Sequence, residues 1–371
     1  MIAGVYIHIP FCRRRCKYCD FYSTTLSTGW QRRYVDALCR EVELRAGELG
    51  SQYIHSLYVG GGTPSILPPS CVSQLFDCIS RCFAFLPGAE VTIEANPDDV
   101  SSQWLDLLAS TPVNRISMGV QTFSDQILQF LGRRHTSSQA LEAVSLCRRA
   151  GYDNISIDLM YGLPFQTMEQ WRLDVGKALE LEVPHLSAYS LTYEEGTPLA
   201  SMLERGEVVE ASDEESWEMY RYLLAETSHA GMEHYEISNF CLPGKRSRHN
   251  SGYWKGMPYL GVGAGAHSYD GKRIRRANDA DVLSYLKANG DAPHTIETLT
   301  DDELYDELVM TRLRTSDGLL LDLLDDASRR YCLKMAKPHL RAGRLSLKDG
   351  RLALTEQGMF VSNDIISDIM R

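Results

Sequence analysis

Six short apolar runs, each followed by a longer segment of helical period, constrain this chain more than any other feature. The runs are GVYIHI (4–9), IHSLYV (54–59), EVTIEA (90–95), RISMGV (115–120), NISIDLM (154–160) and HLSAYSL (185–191). Helical patterns fall near 30–47, 70–84, 101–110, 124–131, 137–150 and 168–182. Adjacent parallel strands need a long crossover, usually a helix, so this alternation predicts a parallel sheet covered by helices. Six units fall short of the eight that close a barrel. The expected fold class is therefore α/β, an open, partial (β/α)6 TIM-like barrel.

In parallel barrels the functional groups gather at the carboxyl ends of the strands. Here those ends are distinctive. Pro10 and three cysteines follow the first run, and Gly60-Gly61-Gly62-Thr63-Pro64 follows the second. The third leads into Glu94 and Asn96, the fourth into Gln121, the fifth carries Asp158, and the sixth leads to Tyr189 and Thr192. One rim should thus hold a thiol loop, a glycine loop and several polar side chains. The glycine loop lacks the Gly-Lys-Ser/Thr of a P-loop, but glycine lets backbone N–H groups approach a ligand.

The pattern changes near residue 212. A helix near 213–230 leads to HYEISNF, then to a basic irregular stretch, CLPGKRSRHNSGYWKG. YLGVGAGAHSY follows. Its glycines argue for a close backbone approach rather than a packed strand. From about 300 the reading is helix, helix, hairpin (RLSLKDGRLAL, with Asp-Gly at the turn) and helix. That is the outline of a mostly helical, winged-helix-like domain. The expected division is 1–235 for the barrel core, 236–299 for a motif-bearing loop and connecting region, and 300–371 for the C-terminal domain.

Winged helices often bind DNA, but residues 301–371 carry 13 Asp+Glu against 11 Lys+Arg, and the whole chain has a net charge of −11. Neither supplies a basic face, so no nucleic-acid partner is expected. No run reaches the ~18 apolar residues of a membrane span, and the first residues lack a basic segment and a cleavage site. The expected setting is reducing and cytoplasmic. Cys71, Cys78, Cys82 and Cys147 sit in apolar helical stretches and read as buried free thiols. The oligomeric state is not legible.

Cys12, Cys16 and Cys19 have the spacing C-x3-C-x2-C. Thiolates select zinc, copper(I) or iron–sulfur clusters. A structural zinc site shows two separated ligand pairs; no second pair follows, although His8 is an alternative fourth ligand. Three thiols on one loop suit a cubane better. The next cysteine, Cys39, lies twenty residues on in a helical pattern. Three ligands leave one iron open to chelate a small molecule. Arg13, Arg14, Arg15 and Lys17, inside the loop, read as solvated charge, or as groups that offset the cluster or meet an acidic partner.

This motif after a first strand resembles the radical S-adenosylmethionine superfamily. The resemblance implies a 4Fe-4S cluster whose open iron binds S-adenosylmethionine, which the reduced cluster cleaves to a 5′-deoxyadenosyl radical. GVYIHIPFC, YVGGGTPS, IEANP, RISMGVQTF, LGRRHT and IDLMYGLPFQT are similar to the oxygen-independent coproporphyrinogen III oxidases and their relatives, the HemW-type haem chaperones. By that likeness Tyr6, Gly61 and Glu94 meet the cluster-bound S-adenosylmethionine. Tyr18, Gly62, Thr63, Gln121, Arg133 and Asp158 match contacts to a second molecule of it in the oxidases. The oxidases continue their motif with a further cysteine needed for turnover; here Phe21 stands there, and eleven residues precede Cys12 where the oxidases have a longer extension. HNSGYW supplies the chaperone branch's H-N-x-x-Y-W motif, with His249, Asn250, Tyr253 and Trp254 implied in haem binding, and Arg246 and Arg248 placed to meet propionates. The expectation is a haem chaperone that holds the cluster, S-adenosylmethionine and haem, and passes haem to an acceptor protein, a transient membrane-side one included. The alternative is a coproporphyrinogen III oxidase.

Overall fold

A computed structural model describes residues 3–371. The six expected strands form in order: β1 (Ala3–Ile9), β2 (Tyr53–Gly61), β3 (Ala84–Ala95), β4 (Arg115–Gln121), β5 (Ile155–Tyr161) and β6 (His185–Ser190). Neighbours pair in sequence order, all parallel. Between them run α1 (Thr28–Arg45), α2 (Pro69–Cys82), α3 (Ser102–Leu108), α4 (Asp125–Leu131), α5 (Ser137–Arg149) and α6 (Met168–Glu180). Both faces of the strands are covered, so β1 and β5 read as almost continuous apolar runs.

Local chemistry sets the helix starts. Thr136 and Gln139 form a reciprocal cap on α5, and Ser101, Ser124 and Thr167 cap α3, α4 and α6. After α7 (Pro198–Glu204), α8 (Asp213–His229) opens on the same reciprocal arrangement, Ser212 with Glu215. Trp171 of α6 is fully buried and donates its indole N–H to the Met219 carbonyl of α8 at 2.8 Å.

The sheet runs well beyond six strands. β7 (Glu233–Glu236) and β8 (Asn239–Cys241) extend it antiparallel past β6. A short helix, α9 (Arg248–Trp254), then leads to β9 (Tyr259–Val262), β10 (His267–Tyr269), β11 (Ile274–Asn278), α10 (Val282–Ala288) and β12 (His294–Thr298). Two expectations are corrected here. The 246–254 stretch is a helix over most of its length, capped by Ser247. The glycine-rich run does contain a packed strand: β9 lies parallel to β1, pairing Tyr259–Val262 with Gly4–Ile7. The close approach is real as well. A Cβ on Gly261 would overlap the His267 carbonyl as the chain folds back into β10. Glycine here permits strand pairing rather than preventing it.

A buried polar knot ties this extension to the barrel. Glu41 on α1 has no solvent exposure. One carboxylate oxygen accepts from Arg45 and from Asn278, each at 2.7 Å. The other accepts from the Gly263 amide at 2.9 Å and the Tyr285 hydroxyl at 2.6 Å. Arg45 also reaches the Gly261 carbonyl and Ser268.

The C-terminal residues fold as the winged-helix outline predicts. The order is α11 (Asp301–Leu313), β13 (Leu319–Leu320), α12 (Asp326–Arg341), β14 (Leu345–Lys348), β15 (Arg351–Leu354), α13 (Glu356–Phe360) and α14 (Ser362–Ile369). The β14–β15 turn has positive φ at both Asp349 and Gly350, the geometry Asp-Gly favours. Among the described residues no helix is long and apolar enough to cross a membrane. All ten cysteines are free, and Cys71, Cys78 and Cys147 are buried. Cys82, expected to be buried, is half-exposed at the end of α2, where the helix runs out of core to cover it.

Candidate functional site

The thiol loop leaves β1 at Pro10 and is cinched at its base. The Cys12 amide donates to the Thr24 carbonyl at 2.9 Å and the Thr24 amide to Pro10 at 2.6 Å. Phe11 is buried edge-on against Tyr34 and anchors the loop to α1. Cys12, Cys16 and Cys19 are all half-exposed, unlike the core thiols.

The neighbouring strand ends fit around these sulfurs. The Thr63 hydroxyl lies 3.4 Å from the Cys12 sulfur, and an Arg133 N–H lies 3.6 Å from that of Cys16. A Cβ on Gly62 would come within 2.8 Å of the Phe11 carbonyl and 3.0 Å of the Cys12 sulfur, so only glycine allows this packing. Gly61 has φ +112, and its amide donates to Glu94 at 3.1 Å. The Tyr58 hydroxyl donates to the other Glu94 oxygen at 2.7 Å. Burial pushes the Glu94 carboxyl up to about 7, against the hydrogen bond from Tyr58. Burial likewise raises Asp158 to about 6, opposed by Ser187. Gln121 holds a left-handed backbone, φ +71, at the end of β4, an unfavourable conformation for a residue with a side chain.

Most of these groups line one cavity of about 1090 Å³; of the three cysteines only Cys19 is among its lining residues. Of the residues singled out in the sequence, Tyr18, Cys19, Gly61, Gly62, Thr63, Glu94, Gln121, Arg133 and Asp158 line it, with Asn250, Tyr253 and Trp254 across from them. Phe21 stands at its edge, 64% exposed. Tyr6 lies behind the wall, its hydroxyl on His8 at 3.0 Å and its ring against Tyr58. The C-terminal domain closes part of the opening through Arg314 and residues 359–364.

His249 is also behind the wall. It is 3% exposed, bonded through Nδ1 to the Ser56 hydroxyl at 2.9 Å and through Nε2 to the Tyr253 hydroxyl at 2.8 Å. Its ring stacks on Tyr58 at 5.2 Å. Burial pushes it down to about 3, so it is neutral. A neutral imidazole has one donor and one acceptor, and both are in use. The two arginines expected at propionates are committed elsewhere. Arg246 pairs with Glu233 and Asp317, and Arg248 bonds the Gly88 carbonyl. Sequence reading missed Tyr58, Arg115, Glu236, Asn239 and Arg314 as cavity residues. Tyr58 and Arg115 belong to strands that read only as core, and the other three come from segments far along the chain.

Among the described residues no three His, Cys, Asp or Glu side chains close on one point as a single metal ion requires. The three half-exposed thiols instead suit a cubane, where each thiolate takes a different iron. The barrel and this loop define a class, the radical S-adenosylmethionine proteins: residues 6–175 match the Radical SAM superfamily, and residues 299–361 match the HemN C-terminal domain. Its cofactors are a 4Fe-4S cluster and S-adenosylmethionine, and the donor set fits them. Within the class, the chain is 38% identical over 324 residues to the heme chaperone HemW of Lactococcus lactis, covering 87% of this chain and 84% of that one. It is 34% identical over 372 residues to HemW of Mycobacterium tuberculosis, covering 99% and 94%. The chain belongs to the HemW family. Among solved structures, coproporphyrinogen III oxidase (HemN) of Escherichia coli shares the fold, with a TM-score of 0.86 at 22% identity over 100% of this chain and 90% of that one.

A direct consequence concerns Glu94. S-adenosylmethionine should perturb the paramagnetic resonance spectrum of the reduced cluster. Glu94→Ala should weaken that response by about 10–100-fold in ligand concentration, the value of a hydrogen bond to a charged group, without loss of iron. Gly61→Val should do the same by crowding His8 and straining φ. An unchanged dose-response in both variants would remove these residues from the ligand site.

Proposed function

We propose that this protein is a haem chaperone: it holds a 4Fe-4S cluster and S-adenosylmethionine on the barrel rim, binds haem in the same cavity, and passes haem to an acceptor protein. The observation that carries this reading over an oxidase is Phe21. It stands where the oxidases have their extra cysteine, at the cavity edge and open to solvent, so the cavity receives a phenyl ring instead of a thiol. The large cavity and its aromatic wall, Tyr253 and Trp254, support a flat apolar ligand.

The bound cluster supplies a low-potential electron. The chain's own groups do the rest. Glu94 accepts from ribose hydroxyls or an ammonium, Arg133 stays beside Cys16 and the Gly119 carbonyl, and Asp158 faces the cavity from β5. Tyr253 is the better-placed haem contact in α9, for it lines the cavity while His249 supports it from behind. Ten free cysteines go with a reducing, cytoplasmic setting.

Anaerobic haem titration of the cluster-loaded protein tests the reading. A Soret shift is expected, with Tyr253→Phe changing the spectrum, Trp254→Ala weakening binding several-fold, and His249→Ala acting through the lost support of Tyr253. Coproporphyrinogen III should not be decarboxylated at a useful rate. Robust protoporphyrinogen formation, or wild-type haem affinity and spectra in all three variants, would overturn it.

A further inference from the structure

The cavity wall facing the barrel contains a cation that, among the described residues, makes no direct ion pair. Arg314 is the residue just after α11 and is fixed by its backbone: its carbonyl accepts from the Ile237 amide at 3.1 Å, and the next residue, Thr315, bridges to Glu236. Its side chain donates to the Asn363 amide oxygen at 2.8 Å. Its Nε is buried with no partner. Among the described residues it forms no ion pair, although a guanidinium is charged at any pH a protein meets.

The other two guanidiniums of the lining, Arg133 and Arg115, also leave a buried Nε without a hydrogen-bond partner, but each is engaged by groups of the barrel. Arg133 bonds Cys16, Asn96 and the Gly119 carbonyl, and Arg115 lies 3.9 Å from Glu90. The acid nearest Arg314, Glu236, is 3% exposed and takes its hydrogen bond from Asn239 instead. Burial pushes its carboxyl up to about 7, so near neutrality it is substantially protonated and tolerates an anion beside it. The Asn239 side-chain oxygen is buried without a partner. Arg314, Asn363, Glu236 and Asn239 all face the cavity, with Met359 and Phe360 beside them as apolar surface.

We propose that Arg314, held by Asn363, is a carboxylate-anchoring subsite that binds a propionate of the tetrapyrrole while Met359 and Phe360 cover the ring edge. The assignment rests on the haem reading above. A planar guanidinium with an unused N–H face matches a carboxylate in a paired geometry that a lysine does not reproduce. The subsite also gives a role to the C-terminal domain's place on the cavity: it brings an arginine held there through a neutral amide oxygen, that of Asn363.

The test uses the full-length, cluster-loaded protein with three probes: haem, haem dimethyl ester, and S-adenosylmethionine. Wild type should prefer haem over the ester by about 10–100-fold, as expected for a charge-assisted pair. Arg314→Gln should lose most of that preference by weakening haem alone, Arg314→Lys should fall between, and the S-adenosylmethionine response should not move. Cluster absorbance and the unfolding midpoint show whether each variant is folded; if Arg314→Gln is not, Asn363→Ala should give the same change of preference in smaller degree. Full haem-over-ester preference in folded Arg314→Gln would sink the subsite while leaving the chaperone reading intact. A loss confined to S-adenosylmethionine would reassign the arginine to that ligand's carboxylate. No haem binding by wild type would instead sink the chaperone reading, and the propionate with it.

Discussion

Replacing Cys12, Cys16 or Cys19 by alanine should remove the cluster. Anaerobically reconstituted wild type should hold about four irons and four sulfides per chain, and each variant less than one. The loss should be near total because, among the described residues, neither the next thiol in sequence nor the nearby imidazole is free to substitute. Cys39, the next thiol in sequence, points into the α1–α2 packing and bonds the Gln74 carbonyl. His8, the alternative fourth ligand in a zinc reading, is buried, with its ring nitrogens on Tyr6 and the Tyr22 carbonyl. Cys71→Ala and Cys147→Ala should leave iron content unchanged, since both sit in the core away from the rim. Stoichiometric zinc in anaerobically purified protein, with no cluster after reconstitution, would refute the assignment.

The largest stability effect should come from Glu41→Ala. The carboxylate serves four donors from α1, α10, β11 and the turn after β9. Removing it leaves the Asn278, Gly263 and Tyr285 donors without their acceptor and takes away one of the two carboxylates on Arg45, which keeps Glu48 at 2.8 Å. Breaking a buried pair from one side costs about 3–5 kcal/mol, or roughly 150–5,000-fold in the unfolding constant. The check is urea unfolding of Glu41→Ala, Arg45→Met and the double variant. The double variant should be less unstable than the sum of the singles, because both single variants remove the same Glu41–Arg45 contact. A Glu41→Ala cost under about 0.5 kcal/mol would show that water reaches the knot.

The barrel was legible in the sequence because its two periods alternate without interruption: buried parallel strands read as solid apolar runs, with segments of helical period between them. The rim was legible for the same reason, since topology alone brings successive strand ends together. β9 was not. Its glycines looked like a break, and only the facing His267 carbonyl shows why they are needed. The 246–254 segment looked irregular because its helix is two turns long and carries a glycine, with its stability coming from a Ser247 cap and from Glu90, which accepts from the Arg248 and His249 amides. The same packing took Arg246 and Arg248 out of the cavity. Arg314 could not be found from pattern at all. Its significance lies in a missing partner, which is a property of three-dimensional neighbours and not of spacing.

The stack of Tyr6, Tyr58 and His249 has a thermodynamic consequence. Tyr58 holds Glu94 through its hydroxyl and carries His249 on its ring, while His249 holds the Tyr253 hydroxyl. Glu94 and Tyr253 thus sit at opposite ends of one chain of contacts, and a ligand that draws either of them out repositions the rings between. That chain is the contiguous route by which two ligands addressing those ends would be coupled. By linkage, whatever factor S-adenosylmethionine imposes on haem affinity, haem must impose on S-adenosylmethionine. Loading and unloading would then be read at both ends, so that release of the cargo is set by the state of the cofactor pocket as much as by the strength of the acceptor.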